Sequence, residues 1–153
     1  MIKIKDRVAL GAAAGIIGSI PQSLLNLLSK MLGISKTYSF TLAGGIFLGK
    51  EHTGEIGSFI LGTVLWIFTA AFIGYLIVSL MKKTGRGFWW FKGPLVTILV
   101  MNLFIYGFMF SIAATKVIPK DVPTNLSILV ENLVFGVMAG YLAARWFPES
   151  EWR

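Results

Sequence analysis

Four apolar runs, each longer than 20 residues, constrain this chain more than any other feature: residues 8–32, 56–81, 94–115 and 125–147. About 20 apolar residues in a helix cross the roughly 30 Å of bilayer hydrocarbon. Only helices and closed barrels satisfy every backbone N–H and C=O there, and runs this long exceed any barrel strand. The chain is therefore expected to be an all-α membrane protein, a single four-helix transmembrane bundle over residues 1–153. Composition agrees, with 56% hydrophobic and 14% charged residues and a mean hydropathy of +0.76.

Between the first two runs lies a further apolar stretch, residues 37–49, too short to cross. It is expected to form a short interfacial or re-entrant helix. Treating it as a fifth span would put the two ends of the chain on opposite sides. The basic start, Lys3, Lys5 and Arg7, resembles the leading region of a signal peptide, but the apolar run behind it is too long for one that is cleaved. The first span is expected to be retained.

Lysine and arginine positions predict orientation. With four spans, Lys3, Lys5, Arg7, Lys82, Lys83, Arg86, Lys92, Arg145 and Arg153 share one side, and Lys30, Lys36, Lys50, Lys116 and Lys120 the other. Nine against five places both termini in the cytoplasm of a cell with an inner membrane. The net charge of +7 is thus read as topological, with anionic headgroups rather than nucleic acid as its counterpart.

The span boundaries carry their own signals. Pro94 is a favoured first helical residue, and Phe88, Trp89, Trp90 and Phe91 before it suit the headgroup level. Thr124 or Asn125 is expected to cap span 4 after Pro123, and Pro148 to end it, with Trp146 and Trp152 at the interface.

Small residues recur every fourth position at Gly11, Gly15 and Ser19, and again at Gly136, Gly140 and Ala144. Such stripes let helix backbones approach closely, either inside the bundle or between protomers. The first stripe continues into Gln22, Asn26 and Lys30 at spacings of three or four, so these polar groups share a helical face. Pro21 lies among them, removes one backbone hydrogen bond, and predicts a kink that frees the carbonyl of Ile17. A kink beside polar groups serves packing, or it forms a solute site of the kind transporters build from broken helices.

Glu131 lies about two turns inside span 4, where a lipid-facing carboxylate costs several kcal/mol. It is expected to face the interior, paired with Lys30 or hydrogen-bonded to Asn26, and the functional alternative is a carboxylate that protonates during ion movement. Asn102 in span 3 and Asn132 beside Glu131 are expected to bond between helices. Glu51, His52 and Glu55 form a small cluster before span 2, a weak zinc pattern without a second cluster.

Other chemistry is missing from the sequence. No cysteine is present, which excludes disulfides and thiolate chemistry, and one histidine cannot supply a bis-histidine haem. No GxSxG, Walker A, HExxH or dinucleotide fingerprint occurs, and spans 1 and 2 do not repeat in spans 3 and 4. No cofactor or enzymatic activity is expected.

The layout resembles a small four-span bacterial inner-membrane family of the YqhR-like kind. The likeness lies in residues 10–19, 57–62, 90–94 and 119–123 and in the Phe135-Gly136-Val137-Met138-Ala139-Gly140-Tyr141 segment. Pro21 and Glu131 stand outside that pattern, and the resemblance implies a fold but no activity, cofactor or site. Three functions are compatible with the residues. The first is a non-enzymatic structural or accessory subunit that self-associates or joins other membrane proteins through its glycine faces. The second is a small oligomeric transporter or channel with a polar path around Pro21, Asn26, Asn102 and Glu131. The third is a binder of a lipid or other hydrophobic ligand.

Overall fold

The structure is a computed structural model that describes residues 3–45, 47–48, 55–108, 119 and 121–148. Four helical stretches in it are long and apolar enough to cross a membrane. They are α1 (Arg7–Met31), α3 (Ile56–Thr84), the stretch Trp89–Tyr106, and α5 (Val122–Trp146), with the seven-residue α2 (Ser39–Gly45) between the first two. The third span is composite: α4 (Trp89–Thr97) continues directly into a π-helical segment, Ile98–Tyr106.

The observed ends reflect capping chemistry. Asp6 caps α1 by accepting a bond from the Ala9 amide at 2.6 Å. At α5 the cap is Asp121 rather than Thr124 or Asn125: its Oδ1 accepts from the Thr124 amide at 3.1 Å and the Thr124 hydroxyl at 2.8 Å. Aspartate outranks threonine as a cap, and Pro123 then falls in the first turn, where its missing N–H costs nothing. Span 3 starts at Trp89, five residues before the predicted Pro94, because the aromatic cluster is itself helical. Its predicted end at Thr115, and Glu51, His52 and Trp152, lie outside the described residues.

Helix α1 lies against both α3 and α5, while α4 packs chiefly on α5 and α2 on α3. Glycines set these contacts. A Cβ on Gly74 of α3 would collide with the Gly11 carbonyl, and one on Gly15 with the Ala70 carbonyl, so α1 and α3 touch backbone to backbone. Gly93 of α4 meets Gly136 of α5 in the same way, and Gly140 approaches Trp89. Gly62 accepts the Phe40 backbone of α2, which also sets its ring edge-on to Phe59 and Trp66.

The interior divides along its length. Leu10 and Ala14 of α1, Ile77 and Met81 of α3, Ala143 of α5 and Phe147 just after it form an apolar half at the end of the bundle where Ile4 meets Trp146. Gln22, Asn26, Ser127, Glu131 and Asn132 are buried in the other half. The apolar end also gathers the basic residues: Lys3 Nζ donates to the Arg145 carbonyl at 3.3 Å, and Lys92 Nζ to the Gly85 carbonyl at 2.8 Å. At the opposite end Lys36 pairs with Asp121 at 3.3 Å.

Two predictions follow from the glycine contacts and the cap. Gly74→Ala and Gly93→Ala should each cost about 2 kcal/mol or more by overpacking, whereas Gly57→Ala, with nothing within 4 Å of the new Cβ, should be neutral or stabilise by about 0.5–1 kcal/mol. Thermal melts of the three variants decide between uniform and site-specific effects. At the α5 cap, the Thr124 hydroxyl first, then its amide and Lys36, outweigh desolvation and hold the Asp121 carboxyl below the usual aspartate value. A depressed carboxylate adds stability that is present above the unfolded-state aspartate value and is lost as pH falls through the lower folded-state value. Asp121→Asn should therefore flatten the acid limb of a stability–pH profile.

Candidate functional site

Polar groups cannot be left bare in the dry half of a bundle, so where Gln22, Asn26, Glu131, Asn132 and Asn102 find partners decides what they can do. They find one another, in two branches. In the first, Gln22 Nε2 donates to Asn132 Oδ1 at 2.6 Å, and Asn132 Nδ2 donates to Asn102 Oδ1 at 2.8 Å. This branch ties α1 to α5 and α5 to span 3. In the second, Asn26 Nδ2 donates to Glu131 Oε2 at 3.1 Å, while Asn26 Oδ1 accepts from the Ser39 amide at 2.9 Å. Ser127 Oγ donates to the other carboxylate oxygen of Glu131 at 2.7 Å. This branch ties α2, α1 and α5.

The two branches meet because of helical spacing. Gln22 and Asn26 stand one turn apart on α1, and Glu131 and Asn132 are consecutive on α5, so each α1 amide faces one α5 group. Glu131 is only 1% exposed. Of the two partners predicted for it, Asn26 is the one present. Lys30 instead turns outward, donating to the Lys36 carbonyl at 2.6 Å and lying over the Tyr38 ring at 5.6 Å. The reason is reach: the ammonium gains water and a carbonyl at the end of α1, which a buried ion pair would forfeit.

Pro21 leaves the helix intact. Helix α1 is continuous from Arg7 to Met31 with Pro21 inside it, so no turn is unwound there, and the missing Pro21 N–H leaves the Ile17 carbonyl without its intrahelical donor. Irregular backbone occurs instead in span 3. The Gly107 amide reaches the Asn102 carbonyl, five residues back. This wider coil shifts the inward face: Phe104, seven residues after buried Thr97, is 67% exposed, whereas Asn102 and Tyr106 turn inward to half-burial. Asn102 reaches Asn132 by this shift.

Beside the first branch is a cavity of ≈ 70 Å³ lined by Ser39, Trp66, Thr69, Met101, Tyr106 and Asn132, among others. Trp66 Nε1 and Tyr106 Oη, both buried, have no partner among the described residues, and neither does Gln22 Oε1. Ser39, Ser127, Trp66 and Tyr106 did not stand out in the sequence. Only Ser127 had a legible signal, its position one turn before Glu131.

The small-residue stripes are spent inside the bundle. Gly11 and Gly15 meet α3, Gly136 and Gly140 meet α4, and Gly18, beside the first stripe, meets Ala139 of α5. Ser19 is buried with its hydroxyl bonded to the Ile16 carbonyl, and Ala144 packs against the core while also bordering an open cleft. Among the described residues no group of three acidic, cysteine or histidine side chains is placed to hold a metal. Comparison with family models, curated proteins and solved structures finds no match, so the YqhR-like resemblance gains no support there.

The bonding pattern makes a quantitative prediction. Asn26→Leu and Glu131→Leu should be coupled by about 0.5–3 kcal/mol in a double-mutant cycle, while Lys30→Met and Glu131→Leu should add within about 0.5 kcal/mol. Thermal or denaturant unfolding in detergent measures both. A large Lys30–Glu131 coupling would contradict the arrangement described.

Proposed function

We propose that the chain is a non-enzymatic inner-membrane protein with both termini cytoplasmic, acting as a structural or accessory subunit that self-associates or joins a larger membrane complex. The observation that carries this reading is the poor cover on span 3. Only 11% of its apolar window is buried, against 56% for α5. Leu95, Leu99, Leu103 and Phe104 all face outward, and the described contacts of the span are concentrated on the side that meets α5. Since the glycine stripes are already used between helices of one chain, the assembly surface moves from those faces to the outer face of span 3. The paired interior supports a scaffold role, because the polar groups of the second reading, a transport path, are bonded to each other across four elements.

A third reading, binding of a small hydrophobic ligand, is favoured by the cavity beside Asn132. Its apolar walls and two unpartnered donors suit a compact molecule with a hydrogen-bond acceptor.

The absence of native cysteine makes the assembly surface directly measurable. Leu99→Cys and Leu103→Cys should give oxidative crosslinks in native membranes, and Ile20→Cys, on the outer face of α1, should not. Native mass spectrometry of the gently extracted protein should show more than one copy or a second subunit. A monomer with no crosslink at span 3 would refute the assembly reading. Glu131→Gln flux measurements in liposomes then become decisive for transport, which requires lost flux at unchanged abundance.

A further inference from the structure

The end of the bundle that gathers the basic residues holds an open cleft of ≈ 580 Å³, lined by Arg86, Gly87, Phe88, Trp89, Trp90, Tyr141, Ala144 and Arg145. We propose that this cleft is a binding site for the phosphodiester headgroup of an anionic membrane phospholipid, held between Arg86 of the α3–α4 loop and Arg145 of α5.

The basic residues at this end are not equivalent. Lys92 is folded back on the end of α3, donating to the Thr84 and Gly85 carbonyls at 3.0 and 2.8 Å. Lys82 lies over the Phe147 ring at 5.8 Å, and Lys3 is bonded to the Arg145 and Phe147 carbonyls. Lys3 and Lys92 close helix ends. Arg86 and Arg145 come from different elements and line one cleft. A guanidinium offers a planar fork of donors that matches phosphate oxygens, which a lysine ammonium does not.

Arg145 is held in place. Its Nη1 donates to the Tyr141 hydroxyl at 3.2 Å, and its guanidinium lies 5.9 Å from the centre of that ring. Tyr141 in turn meets Trp89 edge-on at 5.4 Å. The hydroxyl takes one of five N–H donors, leaving the others to the cleft.

The loop carrying Arg86 is shaped by two left-handed residues. Gly85 has φ 79°, at no steric cost, but Phe88 has φ 56°, an uncommon conformation for a bulky side chain. It turns the chain into α4 with the start of that helix at the cleft, and Phe88 supplies no side-chain cap. The helix start adds partial positive charge beside Arg86. Strain of this sort persists at sites that use the geometry. Around the rim, the rings of Phe88 and Trp90 are both more than half exposed. Exposed aromatic rings at a helix end sit at the headgroup level, which sets the cleft at the depth of lipid phosphates. A soluble phosphate has no use for that apolar rim, and a diacyl phospholipid does.

The test is native mass spectrometry of the delipidated full chain with equal amounts of phosphatidylglycerol and phosphatidylcholine of the same acyl chains. One phosphatidylglycerol should be retained in preference. Arg86→Gln with Arg145→Gln should lower that preference about tenfold. Lys5→Gln with Lys83→Gln removes the same charge from the same end outside the cleft, and should leave it unchanged. Arg86→Lys with Arg145→Lys keeps the charge and should still lose most of the preference, which keeps the proposal testable if the glutamine pair unfolds. Equal losses in both glutamine pairs would mean diffuse surface attraction and overturn the site. Displacement of the lipid by an excess of inorganic phosphate would assign the cleft to a free oxyanion and overturn the lipid as its ligand.

Discussion

Backbone contact between helices is the constraint on which the other features of this bundle rest. In a bilayer, lipid tails are as apolar as the side chains they would displace, so helices gain little by burying leucine and must gain by fitting closely. The pairs Gly11–Gly74 and Gly93–Gly136 supply that fit, bringing α1 to α3 and α4 to α5 without intervening side chains. The apolar core at Leu10, Ile77 and Phe147 fills in around them. Glycine is thus a geometric requirement at these positions, against its usual helix-weakening effect.

Close approach at one end brings the polar residues together at the other. Once α1 is held between α3 and α5, Gln22 and Asn26 are buried, and each hydrogen bond they leave unmade would be costly. The network through Asn132, Asn102, Glu131, Ser127 and the Ser39 amide meets most of that demand, and it locks α2 and span 3 onto the central helices. Span 3 is attached by the fewest such features: Gly93 near its start and Asn102 in its π-helical half. The π-helical coil turns Asn102 inward and leaves Phe104 outward. One segment therefore carries both an interior anchor and the least covered outer surface.

The two ends of the bundle have distinct chemistry for the same reason. Apolar packing extends to the end with Phe147, where Ile4 meets Trp146 and the α3–α4 loop lies close by, so the basic residues there have no interior to enter. Some close helix ends through carbonyls, as Lys3 and Lys92 do, and Arg86 and Arg145 line the cleft. At the other end Lys36 and Asp121 pair beside the α5 cap, and Lys30 stays with them rather than joining Glu131.

The membrane-spanning class, the number of spans, the gathering of basic residues at one end and the inward placement of Glu131 were all legible in the amino-acid order. Run length, charge position and the cost of a carboxylate in hydrocarbon are local quantities. The choice of Asn26 over Lys30 for Glu131, the spending of both glycine stripes inside one chain and the start of span 3 at Trp89 were decided by tertiary structure. So were the π-helical turn that aims Asn102 and the roles of Ser39, Trp66 and Tyr106. Each depends on which helix faces which and at what height, a relation between residues up to 110 positions apart, as in Gln22 to Asn132. Helical spacing shows which side chains share a face, but the neighbour of that face is set only when the backbones meet.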